Sequence, residues 1–580
     1  MYQVTCSTPR PAGHLPGRID GQSSSLETPR PNGVSPPTGA GARDTTTTPH
    51  PDIATAAAHS TVAAPRPALS DTSVRECNDS RNFQNDNNTT AITEVKAGIN
   101  AGTISIIVPT WNCGAFLRAS LESLIRQTIP APVIVVDDGS TDETAAILSD
   151  FADRIQVFVQ PVRHGANAAR NIAIRASQSP FIAFADADNE YEPTWLKSLC
   201  LAHETGRYGV AYSGFTRQAI DGSVRTMQPG EWAPAKLWWQ NEIDMSSVIR
   251  RDALPPNGLP EGFRPFDDWQ LWLSMAARGW SGINVAATLF RKHERLDGKT
   301  SQSRMDPDSL AADIARVRRT YAALAGFDTI AVVIPGCGCE DLTMRCLSHL
   351  GRYSGIPLTV YYVDNGSPDA AALARIAACA ENEGLDFLII RNAANRGFTH
   401  AINQGIKAAR DQNVLLLNND CFIGPECIER MAYHLASEAQ VAAVGPLTGD
   451  NGHQSLRRGE RLAHASADTA ILQHLDEPVS CASLLGRAHR SREERMLAFF
   501  CTLLSREAIS ALGTLNPTFS SGLMADDDWC RRAKQSSWKM LLALDAYATH
   551  LHSSTFERLG FDRRRMHSEA LSAFNNRINN

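Results

Sequence analysis

Aspartates recur at the ends of predicted strands in both halves of this 580-residue chain. In the first half, one apolar run ends at Asp137 and another leads into Asp186 and Asp188. In the second half, equivalent runs end at Asp364 and Asp420. Converging carboxylates repel one another unless a cation or hydrogen-bond donors satisfy them. A set of oxygen ligands without cysteine suits Mg²⁺ or Mn²⁺, and these cations in turn suit a bound diphosphate.

A second acidic cluster follows later in each half. Asp267 and Asp268 precede one predicted helix, and the run from Asp526 to Asp528 precedes another. Aspartate in the first turn of a helix is a common N-terminal cap. Capping, however, requires neither two or three adjacent acids nor the same element twice. Because crowding raises the pKa of one carboxyl group, each cluster is also a candidate general base.

One histidine follows each late cluster, His293 after Asp268 and His550 after Asp526. A single histidine is more often a surface or core residue than a ligand. Its recurrence in both halves favours a functional interpretation, in which a neutral imidazole completes a metal shell or contacts a diphosphate.

These residues lie in a sequence repeat that predicts two duplicated domains. An apolar strand opens each copy, at Ile104–Pro109 and at Ile330–Pro335. Three later features match between the copies at one constant offset: Gly165 with Gly397, Asn171 with Asn403, and Asp188 with Asp420. In both copies strands alternate with helices, which predicts an α/β fold with a mostly parallel sheet flanked by helices. Ligands of such sheets bind at the carboxyl ends of the strands, where the acids lie.

The chain divides into four predicted segments. Residues 1–100 are rich in Pro, Thr, Ser and Ala, and we expect them to be disordered because they have too little apolar surface to offset the entropy of ordering. The two copies occupy residues 103–320 and 328–560. Residues 561–580 form a predicted helical C-terminal tail.

Composition restricts the classes of partner. A net charge of −6 gives no reason to expect a nucleic acid. The sequence shows no apolar run near the roughly 20 residues that span a bilayer, and no secretory signal pattern. The 13 cysteines lack metal-ligand spacing, which favours reduced thiols. We therefore expect a cytoplasmic protein, for which any contact with a membrane is peripheral.

At these motifs the chain resembles the family 2 inverting glycosyltransferases, which have the GT-A nucleotide-diphospho-sugar fold. The first copy shows the general family motifs, namely Val-Val-Asp-Asp-Gly-Ser (135–140), Ala-Arg-Asn (169–171), Asp-Ala-Asp (186–188) and Asp-Asp-Trp (267–269). The second copy is similar to the rhamnosyltransferase-like branch, with Val-Asp-Asn-Gly-Ser (363–367), Asn-Arg-Gly-Phe (395–398), Leu-Leu-Asn-Asn-Asp (416–420) and a terminal His-Leu-His-Ser-Ser-Thr-Phe (550–556).

The resemblance implies a role for each candidate residue. The catalytic bases are Asp268 and, when Trp538 is aligned with Trp280, Asp526; Asp528 is kept as a second candidate. The residues expected to bind the nucleotide sugar are Asp137, Arg170, Asp186, Asp364, Asn403 and Asp528. The residues expected to hold Mg²⁺ or Mn²⁺ are Asp188, His293, Asp420 and His550.

The function implied by the resemblance is a bifunctional inverting glycosyltransferase. Its donors would be UDP-, dTDP- or GDP-sugars, and its acceptor a hydroxyl group of a glycan or a lipid-linked glycan, in polysaccharide or glycoconjugate synthesis. The second copy departs from the family pattern at Asn418, which replaces the first acid of the metal motif, and at Ala525, where the family usually has glutamate. Two alternatives therefore remain. One is a single catalytic domain with a degenerate binding domain, and the other is a non-enzymatic nucleotide-sugar sensor. A nucleotidyltransferase is disfavoured because neither copy has a basic, glycine-rich phosphate loop.

Overall fold

The computed structural model describes residues 102–261, 266–295, 306–449, 454–456, 474–485, 489–551, 558, 560 and 562–579. The predicted disordered tail, residues 1–100, lies outside them, as does most of the 550–556 motif. None of the described helices is long and apolar enough to cross a bilayer.

The first copy forms one sheet with helices on both sides. Its strands are β1 (Ile104–Thr110), β2 (Val133–Asp137), β3 (Gln156–Val159), β4 (Phe181–Phe184), β5 (Asn189–Tyr191), β6 (Val210–Gln218), β7 (Val224–Met227), β8 (Val248–Arg250) and β9 (Gly282–His293). Its helices are α1 (Gly114–Ile125), α2 (Thr144–Asp150), α3 (Ala166–Ala176), α4 (Trp195–Glu204), α5 (Pro234–Trp239), α6 (Asp267–Ala277) and α7 (Pro307–Thr320).

The second copy repeats this order. Its strands are β10 (Ile330–Gly336), β11 (Leu358–Asp364), β12 (Asp386–Arg391), β13 (Val414–Leu417), β14 (Cys421–Ile423), β15 (Val441–Leu447), β16 (Ser491–Glu494), β17 (Cys501–Leu504) and β18 (Lys539–His550). Its helices are α8 (Glu340–Tyr353), α9 (Ala370–Asn382), α10 (Phe398–Ala408), α11 (Cys427–Ser437), α12 (Pro478–Leu484), α13 (Arg506–Leu512), α14 (Ala525–Gln535) and the C-terminal α15 (Arg563–Asn579).

Eight strands follow the same order in both sheets, but the ninth differs: β7 pairs with β6 in the first sheet, whereas β16 pairs with β18 in the second. The strand order is β3-β2-β1-β4-β8-β6-β9-β5 in the first and β12-β11-β10-β13-β17-β15-β18-β14 in the second. The first four strands of each order run parallel, whereas β8 and β17 are antiparallel to both neighbours. The predicted fold class is confirmed. The other half of each sheet is mixed. It contains the antiparallel strands β8 and β17, and also one further parallel pair, β6 with β9 in the first sheet and β15 with β18 in the second.

The topology places the candidate site at the carboxyl ends of the central strands of each sheet. Strands β1 and β2 are buried along their whole length, and their register pairs Thr110 with Asp137, so both strands end side by side. Helices α3 and α10 then begin after Gly165 and Gly397, which have φ angles of 101° and 92°. An L-amino acid with a side chain rarely adopts this conformation, which accounts for glycine at both positions.

The two copies share part of their hydrophobic core. One cluster of buried residues contains Trp238 and Trp272 of the first copy together with Tyr353 and Met431 of the second. The two copies therefore contact each other through buried, closely packed apolar side chains.

Candidate active site

A cavity of about 260 Å³ opens where the strands of the first copy end. Its walls come from the loop after β1, the end of β4, the start of α6 and the end of β9. The acidic lining residues are Asp138, Asp186, Asp188, Asp244, Asp267, Asp268 and Glu294, and the basic ones are Arg163, Arg170, Arg217, Lys292 and Arg295. Acids outnumber fixed cations by two, so the cavity can accept a divalent cation, while the basic groups suit a diphosphate.

Asp186 and Asp188, the two acids of the Asp-Ala-Asp motif, lie together in this cavity. Arg170 Nη2 donates to Asp186 Oδ1 over 2.8 Å, and Arg295 Nη1 lies 3.8 Å from Asp188 Oδ2. Burial, helped by the charge of Asp186, raises the pKa of Asp188 to about 6. A carboxyl group whose charge is disfavoured in this way gains from a nearby cation.

Lys292 and Asp244 form an ion pair in the cavity that the sequence did not predict. Lys292 Nζ donates to Asp244 Oδ2 over 2.5 Å and lies 3.9 Å from Asp186 Oδ2. Burial alone would lower the pKa of Lys292, but the charges of Asp244 and Asp186 raise it above its usual value. In the sequence, Lys292 could have been found only by its position next to His293. Asp244 lies in an irregular stretch before β8, where no sequence motif indicates a functional residue.

Asp268 is the second residue of α6 and lines the cavity. Its Oδ1 accepts a hydrogen bond from the backbone N–H of Trp269 over 2.7 Å. Burial, together with the charge of Asp244, raises the pKa of Asp268 to about 6, although Lys292 acts in the opposite direction. The carboxyl group is thus close to the range suited to a general base at neutral pH.

His293 lines the same cavity, whereas the carboxylate of Asp137 is directed into its own turn. His293 Nε2 lies 2.9 Å from Glu190 Oε1. Asp137 is buried and accepts from the backbone N–H of Ser140 over 3.0 Å. It is the neighbouring Asp138 that lines the cavity and accepts from the N–H of Gly165 over 2.7 Å. The doubled acid after β2 could have pointed to Asp138.

In the second copy, the predicted residues Asp420 and His550 lie together with the neighbouring Asn418, just after the end of β13. His550 Nε2 lies 3.3 Å from Asp420 Oδ1 and 3.4 Å from Asn418 Nδ2. The imidazole ring stacks on Phe500, with a centroid distance of 4.9 Å. Within the described residues, the buried Oδ1 of Asn418 has no hydrogen-bond partner.

Asp364 and Asn403 contact the protein itself. Asp364 is fully buried, accepts from Ser367 N over 3.0 Å and lies 3.3 Å from Arg391 Nε. The amide of Asn403 donates to Leu515 O over 2.7 Å and accepts from Leu515 N over 3.0 Å. Both bonds anchor the loop that precedes α14. In the first copy, Asn171 makes the same pair of bonds with the backbone of Leu259, over 3.0 and 2.7 Å.

The structure separates the two base candidates of the second copy. Asp526 is the second residue of α14, and its Oδ1 accepts from Asp527 N over 3.1 Å. Burial and the charge of Asp527 raise the pKa of Asp526 to about 7. Asp528 is instead fully buried, with its carboxylate 3.0 Å from Arg532 Nε and 3.6 Å from Arg531 Nη2 on the same helix.

Charged groups of the first site have neutral counterparts in the second. The matched pairs are Arg170 with Ile402, Asp186 with Asn418, and Lys292 with Thr549. Relative to the first site, the second site thus lacks two positive groups and one negative group. It therefore offers a more neutral environment around Asp420 and His550.

Comparison with known proteins identifies relatives of both copies. A family model, Glycosyl transferase family 2, matches residues 105–256 and 331–513. The UDP-Glc:alpha-D-GlcNAc-diphosphoundecaprenol beta-1,3-glucosyltransferase WfaP of Escherichia coli is 27% identical over 33% of this chain and 77% of its own length. The hyaluronan synthase of Pasteurella multocida is 22% identical over 59% of this chain, and the chain covers only 40% of that protein. The crystal structure of S. aureus TarS 1-349 with UDP-GlcNAc matches 39% of this chain and 68% of its own, with 21% identity and a TM-score of 0.32.

Proposed function

This chain belongs to glycosyl transferase family 2, and we propose that it is a bifunctional inverting glycosyltransferase. Each domain would transfer a sugar from a nucleotide-diphospho-sugar to a hydroxyl group. The acceptor would be a glycan or a lipid-linked glycan, in polysaccharide or glycoconjugate synthesis. A lipid-linked acceptor would bring the protein to a membrane surface by peripheral contact. The names of the relatives support these classes of acceptor and product, because one acts on an undecaprenyl-linked acceptor and another is a hyaluronan synthase.

One observation carries the proposal of two catalytic sites. Asp268 and Asp526 are each the second residue of equivalent helices, and in each the Oδ1 atom accepts from the next backbone N–H. Both carboxyl groups have raised pKa values, about 6 and about 7. A copy that had lost catalysis would not need to retain this hydrogen-bond geometry or these raised pKa values.

The proposed reaction is a single displacement. The carboxylate of Asp268 or Asp526 takes the proton of the acceptor hydroxyl group as its oxygen attacks the anomeric carbon. The new carbon–oxygen bond forms on the face opposite the bond to the phosphate oxygen, which breaks with its electron pair and leaves as nucleoside diphosphate. The anomeric configuration is therefore inverted, and no covalent intermediate with the protein forms.

The residues of both sites fit a divalent metal ion such as Mg²⁺ or Mn²⁺. In the first copy, Asp186, Asp188 and His293 would hold it, in a cavity with two more acids than fixed cations. In the second copy, Asp420 and His550 would do so, with the unpartnered buried Oδ1 of Asn418 beside them. When bound, such an ion neutralises charge on the diphosphate leaving group. Arg170, Lys292 and Arg295 of this chain would add fixed positive charge around it.

The two sites would use different donors. The first site contains the Arg170–Asp186 and Lys292–Asp244 pairs, while the second has neutral residues at three of these four positions and stacks His550 on Phe500. This contrast supports a rhamnosyltransferase-like second domain, because a deoxy sugar presents fewer polar groups to its site.

The test is a screen of UDP-, dTDP- and GDP-sugars with the full-length protein, Mn²⁺ and simple glycoside acceptors. Nuclear magnetic resonance would follow the anomeric configuration of each product. Products with inverted configuration support the proposal, and retained configuration contradicts it. A sensor would bind a donor without releasing nucleoside diphosphate from it in the presence of any acceptor.

A further inference from the structure

Arg318, near the C-terminal end of α7, connects the first copy to the second. Its side chain is 4% exposed, and its Nη1 donates to Glu426 Oε1, in the loop before α11, over 2.7 Å. The same guanidinium donates to Trp238 O over 3.2 Å and to Trp239 O over 2.5 Å. The indole N–H of Trp238 donates in return to Arg318 O over 2.8 Å. Arg318 therefore fixes α5 of the first copy against a carboxylate of the second.

The same guanidinium faces the residue that follows the base of the first copy. The centre of the Arg318 guanidinium lies 5.7 Å from the centroid of the Trp269 ring. Trp269 is buried, and its indole N–H donates to Leu237 O in α5 over 2.6 Å. Its backbone N–H donates to Asp268 Oδ1 over 2.7 Å. The ring of Trp269 is thus held by α5 and Arg318, and its backbone holds the base.

Glu426 is held in place from its own side by the second copy. Arg430 Nε donates to Glu426 Oε2 over 3.0 Å, and Arg430 Nη1 lies 3.5 Å from Asp545 Oδ2 in β18. Asp545 Oδ1 lies 2.9 Å from His434 Nε2. Removing one member of a buried ion pair is costly because the other charge stays behind. The position of Glu426 therefore depends on the second copy.

From these contacts we infer that Arg318 and Glu426 are positioning residues for Asp268, so that transfer by the first domain depends on a carboxylate supplied by the second. The inference rests on the proposed role of Asp268 as a base. A base has to lie within hydrogen-bond reach of its proton, and a displacement of about 1 Å can cost about 100-fold in rate. In the second copy the residue after the base is Asp527, not tryptophan, so this dependence runs in one direction only.

The experiment compares Glu426→Gln with wild type in the full-length protein, with Mn²⁺ present and each transfer measured separately. Glu426→Gln keeps the shape of the side chain but removes the charge that holds Arg318. We expect the kcat of the Asp268-dependent transfer to fall by about 10- to 100-fold with little change in KM. The Asp526-dependent transfer should keep its wild-type rate. Arg318→Lys, which cannot donate to both carbonyls and Glu426 at once, should behave like Glu426→Gln.

Arg352→Gln is the matched control. Arg352 in α8 pairs with Asp308 in α7, so this variant also removes an ion pair between α7 and the second copy, without touching Trp269. It should leave both transfers at the wild-type rate. Unchanged Asp268-dependent transfer in Glu426→Gln would overturn the inference. So would an equal fall in both transfers with a lower midpoint of unfolding, because that pattern is general destabilisation. If the wild type shows no Asp268-dependent transfer, the proposed function itself is refuted, and the inference with it.

Discussion

Lys292 Nζ lies 2.5 Å from Asp244 Oδ2 in the first site, whereas in the second site the neutral Thr549 occupies the position of the lysine. Lys292 Nζ also lies 3.9 Å from Asp186 Oδ2, and Lys292, Asp244, Asp186 and Asp268 line the same cavity. Burial and the charge of Asp244 raise the pKa of Asp268, and the charge of Lys292 opposes them. Lys292 therefore acts on both Asp186 and Asp268, two groups that the proposed reaction needs.

Lys292→Met should abolish most transfer by the first domain. The change leaves Asp244 and Asp186 without a cation that contacts both, so their repulsion of the diphosphate increases. We expect kcat/KM for the Asp268-dependent donor to fall by about 100-fold or more. Steady-state kinetics of each transfer would measure it. The control is Lys236→Met, which removes the more exposed Lys236–Glu242 pair and should keep wild-type kinetics. Equal kinetics in both variants would show that the Lys292–Asp244 pair has no part in transfer.

The pH dependence of the two transfers should differ. A general base works when it is deprotonated, so each rate should rise as the pH increases through the pKa of its aspartate. The pKa values of about 6 for Asp268 and about 7 for Asp526 place the acid limb of the second transfer at higher pH. Profiles of kcat/KM in Asp526→Asn and Asp268→Asn backgrounds would isolate the limbs. Two limbs near pH 4, the range of an unperturbed aspartate, would contradict the raised pKa values of both carboxyl groups.

Asn403→Ala should act on stability more than on donor binding. The substitution removes two hydrogen bonds that hold the backbone of Leu515, and leaving those buried groups unsatisfied costs about 1–3 kcal/mol. Urea denaturation would measure the free energy of unfolding. Asn171→Ala, which breaks the equivalent bonds to Leu259, should cost a similar amount. A large loss of donor affinity at unchanged stability would instead support the sequence-based prediction that Asn403 binds the nucleotide sugar.

Removal of divalent metal with EDTA should stop both transfers, and Mn²⁺ should restore them. Asp188→Asn should weaken Mn²⁺ binding at the first site and Asp420→Asn at the second, as measured by calorimetry. The variants should each leave one binding event intact, because the two sites lie in separate sheets. Loss of both binding events in either variant would contradict two independent metal sites.

The repeat and the strand-ending acids predicted much of the fold and of the site. Matching motifs at a constant offset predicted two domains, and the sheets have identical strand orders. The acids Asp186, Asp188 and Asp268 line one cavity. Asp186 and Asp188 follow β4 at the carboxyl end of the parallel strands, where ligands of such sheets bind, and Asp268 reaches the cavity from the start of α6.

What the sequence could not predict depends on long-range geometry. Asp244 lies in the irregular stretch before β8 and Lys292 near the end of β9, and neither belongs to one of the recognised motifs. Asp528 was the second candidate for the base after Asp526. The helix turns it by about 200° from Asp526, and its buried carboxylate lies beside Arg532. The connection from Arg318 to Trp269 and Glu426 joins residues of both copies and has no counterpart in the repeat.

The proposed function requires two catalytic aspartates in this chain, one for each donor. The most direct measurement is the release of nucleoside diphosphate from each donor by the wild type, Asp268→Asn and Asp526→Asn, with Mn²⁺ and acceptor present. We expect the wild type to consume two donors and each variant to lose a different one. Loss of both donors in one variant and of neither in the other would contradict the proposal and leave a single catalytic domain.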